Sequence, residues 1–168
     1  MDLQLVKYND PILTQPTKLF DFKNPPFDPA EFAESLAQLM IIKDGLGLAA
    51  NQVGQPYRIF AIAIEPAHVC FNPEVLDYSE ESVTLEEGCL SYPGLIVKVT
   101  RPKSIKVRFT HPNGETVTKT YTGMTARIML HEIQHLDGER FFDQVNWYEK
   151  EKVKKYFKKL KRNERNNG

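Results

Sequence analysis

The sequence predicts an α+β fold: antiparallel sheets packed around a central helix, with one helix before them and one after. Three observations carry this. An apolar stripe of helical period follows D28-P-A-E31, a strand-rich stretch runs from about residue 57 to 122, and a segment near 125–136 is apolar almost all round.

The first helix has a clear start. Asp28 is a good N-cap, Pro29 suits the first helical position, and Glu31 is placed to reach back as in a capping box. Phe32, Leu36, Leu39 and Met40 then recur at three or four residues, and Gly45 stands where a C′ glycine ends a helix. The strand-rich stretch contains the run I59–I64, then V83-T-L, L95-I-V-K-V and the alternating S104-I-K-V-R-F. N113-G114 is a hairpin turn into a strand at T116–Y121. The second helix spans about Thr125 to Leu136 and closes at Gly138; Ile128, Met129, Leu130, Ile133 and Leu136 leave it little polar surface, which places it at the centre. A last helix, about Tyr148 to Arg162, has one stripe at Val153, Tyr156, Phe157 and Leu160.

The bulk numbers agree. A chain of 168 residues suits one domain with a sizeable core. The N-terminal MDLQLVKYNDP has no apolar core of a secretory signal, and I59–I64 is too short to span a bilayer. Two cysteines, Cys70 and Cys89, do not make a disulfide framework and are expected as reduced thiols. The expectation is a soluble, cytoplasmic, monomeric protein with no membrane or DNA partner. Charge is unevenly placed: residues 147–168 hold nine Lys/Arg against three Glu, or +6, leaving 13 against 19, or −6, in residues 1–146. The division expected is therefore a catalytic domain over 1–146 and a basic helix and tail over 147–168.

The chemistry concentrates in H131-E-I-Q-H135. Residues four apart share a helix face, so His131 and His135 can present two imidazoles to one divalent ion, with Glu132 leaning over it as general base. The bland alternative is a chance pairing. Against it, two of the chain's four histidines fall in this pattern on its most apolar helix, where a glutamate is costly unless something repays its desolvation. A third ligand has candidates in Cys89, Cys70, His68 and His111. Cys89 stands out within E86-E-G-C-L-S-Y-P-G94, because the preceding glycine lets backbone approach a ligand closely. Cys70 lies in an apolar strand-like context, and His68 and His111 in loop-like ones. A third conspicuous stretch, G45-L-G-L-A-A-N-Q52, is a glycine-rich turn but not a phosphate loop, since no Lys-Ser/Thr follows.

In this order and separation, the three stretches resemble the peptide deformylase family, whose motifs are GxGxAAxQ, EGCxS and HExDH. The resemblance spans about residues 6–143 and includes R58-I-F, F71-N-P, V99-T-R-P and G138-E-R-F-F-D143. It implies that Cys89, His131 and His135 bind one divalent metal ion and leave a fourth position for water. Ferrous iron is the usual native metal of the family, with zinc, nickel and cobalt as substitutes. It implies Glu132 as general base and then general acid, with the Gln52 amide and the Leu90 backbone N–H stabilising the oxyanion. The resemblance further implies that the substrate is the N-formylmethionyl end of a nascent polypeptide, with formate and a free N-terminus as products. The resemblance also implies that the backbone of Gly45–Gly47 and Gly88 binds the substrate as an added strand. Leu46, Leu85 and Ile128 are candidates to line the methionine pocket, with a place in the core as the alternative for Leu85 and Ile128.

Two positions depart from the family pattern: Gln134 replaces the usual aspartate and Leu130 a common glutamine. Neither is a direct ligand, so the expectation is an active enzyme with altered metal affinity or stability, depending on whether Arg101 or Arg127 relied on the missing carboxylate. The basic tail reads either as a docked helix with a solvated charged face or as a ribosome contact, which some family members make through a C-terminal helix. Rival readings are an HExxH metallopeptidase, which GLGLAANQ and EGCLS oppose, and an inactive formyl-peptide-binding homologue, which intact Glu132, Gln52 and ligands oppose.

Overall fold

The computed structural model describes residues 1–64 and 66–167. Gly168, the end of the expected tail, lies outside the described residues.

Helix α1, Pro29–Ile42, starts at Asp28, whose carboxylate accepts from the backbone N–H groups of Ala30 and Glu31. The capping box does not form; the Glu31 carboxylate lies 3.3 Å from the Met1 amino group instead. The helix also ends differently from the expectation. Asp44 takes the left-handed conformation, at φ 55°, and the bonds Asp44 N to Ile41 O and Gly45 N to Met40 O close a Schellman motif one residue early. Gly45 lies close against Leu90: a Cβ there would stand 2.7 Å from Leu90 Cδ1, so that side chain would have to shift.

Among the described residues seven strands follow: β1 Gly47–Ala49, β2 Ile59–Ile62, β3 His68–Tyr78, β4 Ser82–Glu87, β5 Val97–Pro102, β6 Ser104–Thr110 and β7 Thr116–Thr122. A five-stranded antiparallel sheet has the order β1-β2-β3-β6-β7, and β4 pairs with β5 in a second sheet. Ile59 and Ala61 of β2 pack with Phe32, Leu36 and Met40 of α1, whereas Phe60 and Ile62 pack with the central helix. β2 is covered on both faces, so its sequence is a continuous apolar run. β6 is covered on one: Ile105, Val107 and Phe109 are buried while Lys106 and Arg108 are exposed. The β6–β7 hairpin turns at Gly114, φ 92°, with Gly114 N bonded to His111 O.

The longest strand, β3, was only partly anticipated. Asn72 sits at φ 52° and the register with β6 shifts between Phe71 and Glu74, a bulge that accommodates Pro73 inside a strand. Asn72 also exchanges bonds of 2.8 and 2.9 Å with the Phe20 backbone, tying the N-terminal strap to the sheet. His68, expected in a loop, opens this strand, and Cys70 is fully buried in it.

Helix α2, Gly123–Leu136, lies between the two sheets and is buried continuously from Ala126 to Ile133. Its C-terminal carbonyls are held from outside the helix: Asn51 Nδ2 donates to His135 O at 2.6 Å, and Thr17 Oγ1 to Leu136 O at 2.7 Å. Helix α3, Trp147–Asn167, docks Val153, Tyr156 and Phe157 on a third cluster around Tyr92, Phe141 and Phe142. No helix is long and apolar enough to cross a membrane among the described residues.

Candidate active site

α2 delivers His131, Glu132 and His135 from one turn and the next, and the loop after β4 brings Cys89 to meet them. Cys89 Sγ lies 3.2 Å from His135 Nε2, and one ligating atom from each of Cys89, His131 and His135 falls within 4.8 Å of the others. A thiol and two imidazoles converging in this way form a donor set suited to a divalent transition metal. Cys70, buried in the sheet, and His68 and His111 do not join them.

His131 is oriented by a residue for which the sequence suggested no role. Glu87, buried in β4, accepts from His131 Nδ1 at 2.8 Å, which leaves Nε2 as the free ring nitrogen. The same carboxylate takes Arg101 Nε at 2.7 Å, Arg101 Nη2 at 2.8 Å and Arg127 Nη1 at 2.6 Å. Burial alone would raise the Glu87 pKa, but its bonds to His131 and Arg101 prevail and hold it at about 2. Burial would likewise lower His131, yet its bonds to Cys89 and Glu87 push it up to about 10. His135 Nδ1 has no hydrogen-bond partner; burial, with the charges of His131 and Arg101, drives the His135 pKa well down.

Glu132 is only 3% exposed and its Oε1 has no hydrogen-bond partner. Burial pushes its pKa up to about 7, against the pull of His131 and Arg101. Gly47 makes room for it, since a Cβ there would stand 2.5 Å from Glu132 Oε2. Gln52 is fixed at both ends of its amide. Its Oε1 accepts from Ala49 N at 2.9 Å, which aims Nε2 at Ser91 Oγ, 2.9 Å away, and at Cys89 Sγ, 3.5 Å away. Ser91 is thus a second residue for which the sequence suggested no role.

These groups open into a cavity of about 380 Å³. Gly45, Leu46, Gly47, Gly88, Leu90 and Ile128 line it, as does Met124, which was not anticipated. Leu85 does not line it and is 41% exposed. It lies two residues back from Glu87 along β4, roughly 7 Å, which carries it past the rim. β1 is at the edge of its sheet and β4 pairs only with β5, so each leaves an unpaired edge beside the cavity.

Gln134 accepts from Arg101 Nη2 at 3.0 Å through its Oε1. Of the two arginines considered for that position, Arg101 is therefore the one that meets it; Arg127 instead reaches Glu87 and the carbonyls of Val83 and Val99.

Residues 2–151 match the model of the polypeptide deformylase family. A peptide deformylase of Mesorhizobium japonicum is 36% identical over 162 residues, covering 93% of this chain and 91% of the relative. The crystal structure of a plant peptide deformylase superposes with a TM-score of 0.89 at 31% identity, covering 98% of this chain and 92% of the other. A Plasmodium falciparum peptide deformylase in complex with an inhibitor gives 0.86 at 31% identity, covering 95% and 99%.

Proposed function

The chain belongs to the polypeptide deformylase family, enzymes that hydrolyse the N-formyl amide of methionyl peptides, and we propose which of its residues carry that reaction. The single observation behind the proposal is the convergence of Cys89, His131 and His135 beside an unpartnered, buried Glu132.

Cys89, His131 through Nε2 and His135 would hold one divalent metal ion, iron(II) in the native enzyme. When bound, it supplies Lewis acidity toward the formyl oxygen and lowers the pKa of water. Glu132 takes the proton from the attacking water and passes it to the departing amine, so one carboxylate serves as base and then acid. The Gln52 amide and the Leu90 N–H face the oxygen on which negative charge grows; the lock from Ala49 N keeps the donor end of Gln52 turned that way. The edges of β1 and β4, at Gly45–Gly47 and Gly88, receive the peptide as an added strand, reading backbone rather than side chains. Leu46, Met124 and Ile128 take the methionine. An endopeptidase reading of HExxH is not favoured by the family assignment.

Formate release from formyl-Met-Ala-Ser tests this, with the protein loaded anaerobically with Fe(II) and, in parallel, Ni(II). We expect metal-dependent formate from the wild type and its loss in Glu132→Ala with metal still bound. An active Glu132→Ala variant would remove the proton-transfer role.

We further propose that residues 1–146 are the catalytic domain, cytosolic and monomeric, and that α3 touches ribosomal RNA. All nine Lys/Arg of residues 147–167 are exposed while Val153, Tyr156 and Phe157 are docked, which supports a solvent-facing basic surface. Co-sedimentation with ribosomes should weaken steeply as salt rises; sedimentation indifferent to salt would remove this reading.

A further inference from the structure

Two guanidiniums crowd one carboxylate behind the metal ligands. Arg101 and Arg127 are 7% and 5% exposed, and both bond to Glu87, which also carries His131. One negative charge therefore faces two fixed positive ones in a buried setting, where uncompensated charge is costly. A second carboxylate stands one residue further out. Gln134 accepts from Arg101 Nη2 at 3.0 Å and donates through Nε2 to Glu139 Oε2 at 3.4 Å. The orientation of this amide is not arbitrary, because a guanidinium only donates and a carboxylate only accepts; both neighbours select the same end. Arg101 and Gln134 also line a separate, polar cavity of about 310 Å³.

We propose that Glu139 is a positioning residue for the metal site, acting through Gln134 and Arg101 on Glu87. Its charge polarises the Gln134 amide so that Oε1 is a better acceptor for Arg101. Arg101 then draws less on Glu87, whose charge stays available to the Nδ1–H of His131 and makes that imidazole the better ligand. Gln134 and Glu139 together do what one carboxylate against Arg101 would do alone. The inference rests on Cys89, His131 and His135 being the ligands.

The test is a double-mutant cycle read as Co(II) affinity, by chelator competition and by the thiolate-to-cobalt absorption band, with no activity assay involved. Glu139→Gln should weaken cobalt binding by about three- to tenfold, the low end for a group beyond the ligands' own partners. In a Gln134→Asp background the sign reverses. An aspartate there meets Arg101 directly and repels Glu139, so Glu139→Gln should leave affinity unchanged or tighten it. Glu139 is half-buried at the surface, and equal urea midpoints of the apoproteins will establish that all four chains fold. Equal loss on Glu139→Gln in both backgrounds, or no loss in either, overturns the proposal. Absence of the thiolate band from wild type overturns the ligand assignment and this inference together; a normal wild-type band with an indifferent Glu139→Gln overturns this inference alone.

Discussion

Replacing Gly47 with alanine moves the general base while leaving the metal ligands in place; because Gly47 also lies on the edge that receives the peptide, kcat is read apart from KM. Gly47 is not among the residues with positive φ, so backbone freedom does not explain it. Space does. An alanine Cβ would stand 2.5 Å from Glu132 Oε2, 2.8 Å from Cδ and 2.9 Å from Cγ, where ordinary contact begins at 3.4 Å. To regain ordinary contact the carboxylate must retreat by roughly 0.9 Å. β1 cannot yield in its place, because Leu48 and Ala49 are fully buried against neighbours on both faces of the sheet. A displacement of this size in a reacting group costs about 100-fold in rate. The three ligands are untouched, so one metal per chain should remain. The glycine-to-alanine change itself offsets part of any strain, by about 0.5–1 kcal/mol, so unfolding free energy should stay close to wild type. Steady-state formate release, normalised to metal content measured on the same sample, reads the effect as a fall in kcat. A wild-type kcat at full metal occupancy would refute the placement of Glu132 as base. Loss of metal in step with activity would show that the substitution acts on the ligands instead.

Two further outcomes follow from the buried charges. Glu87→Gln leaves Arg101 and Arg127 without their shared counter-charge and should cost about 3–5 kcal/mol in urea denaturation. It should also weaken metal binding by about 10- to 100-fold in chelator competition, and unchanged values for both would mean that the cluster is incidental. Glu149 accepts from Lys98 N at 2.8 Å and pairs with Lys152, and these contacts lower its pKa below the ordinary 4.5, that of Lys98 N first. A carboxyl depressed on folding adds stability above its unfolded pKa and loses it as pH falls through the folded one. The stability gap between wild type and Glu149→Gln should therefore be full at pH 7 and close below pH 4.5; a gap that stays constant to pH 3 would show that the charge contributes nothing to docking α3.

What was legible in the sequence divides by how far apart the cooperating residues lie. Helix positions, the hairpin at Gly114 and the pairing of His131 with His135 depend on neighbours within a turn or two, and period and spacing reveal them. β3 was hidden because Asn72 and Pro73 look like a chain break, and only the bulge against β6 shows how a strand passes through them. Glu87 was hidden for a different reason. Its partners Arg127 and His131 are 40 and 44 residues away, so nothing local distinguishes it from Glu86 beside it. A signal was nonetheless present. Arg127 sits on the most apolar helix of the chain, and a guanidinium there cannot be buried without a carboxylate. The period-2 alternation of V83-T-L-E-E87 puts Glu87 and Glu86 on opposite faces of their strand, one inward and one to solvent. The arginine demands a buried acid, and the pleat next to the ligand cysteine allows only one of the two glutamates to supply it. Glu87 could thus have been read from the unsatisfied charge of Arg127 rather than from any motif of its own.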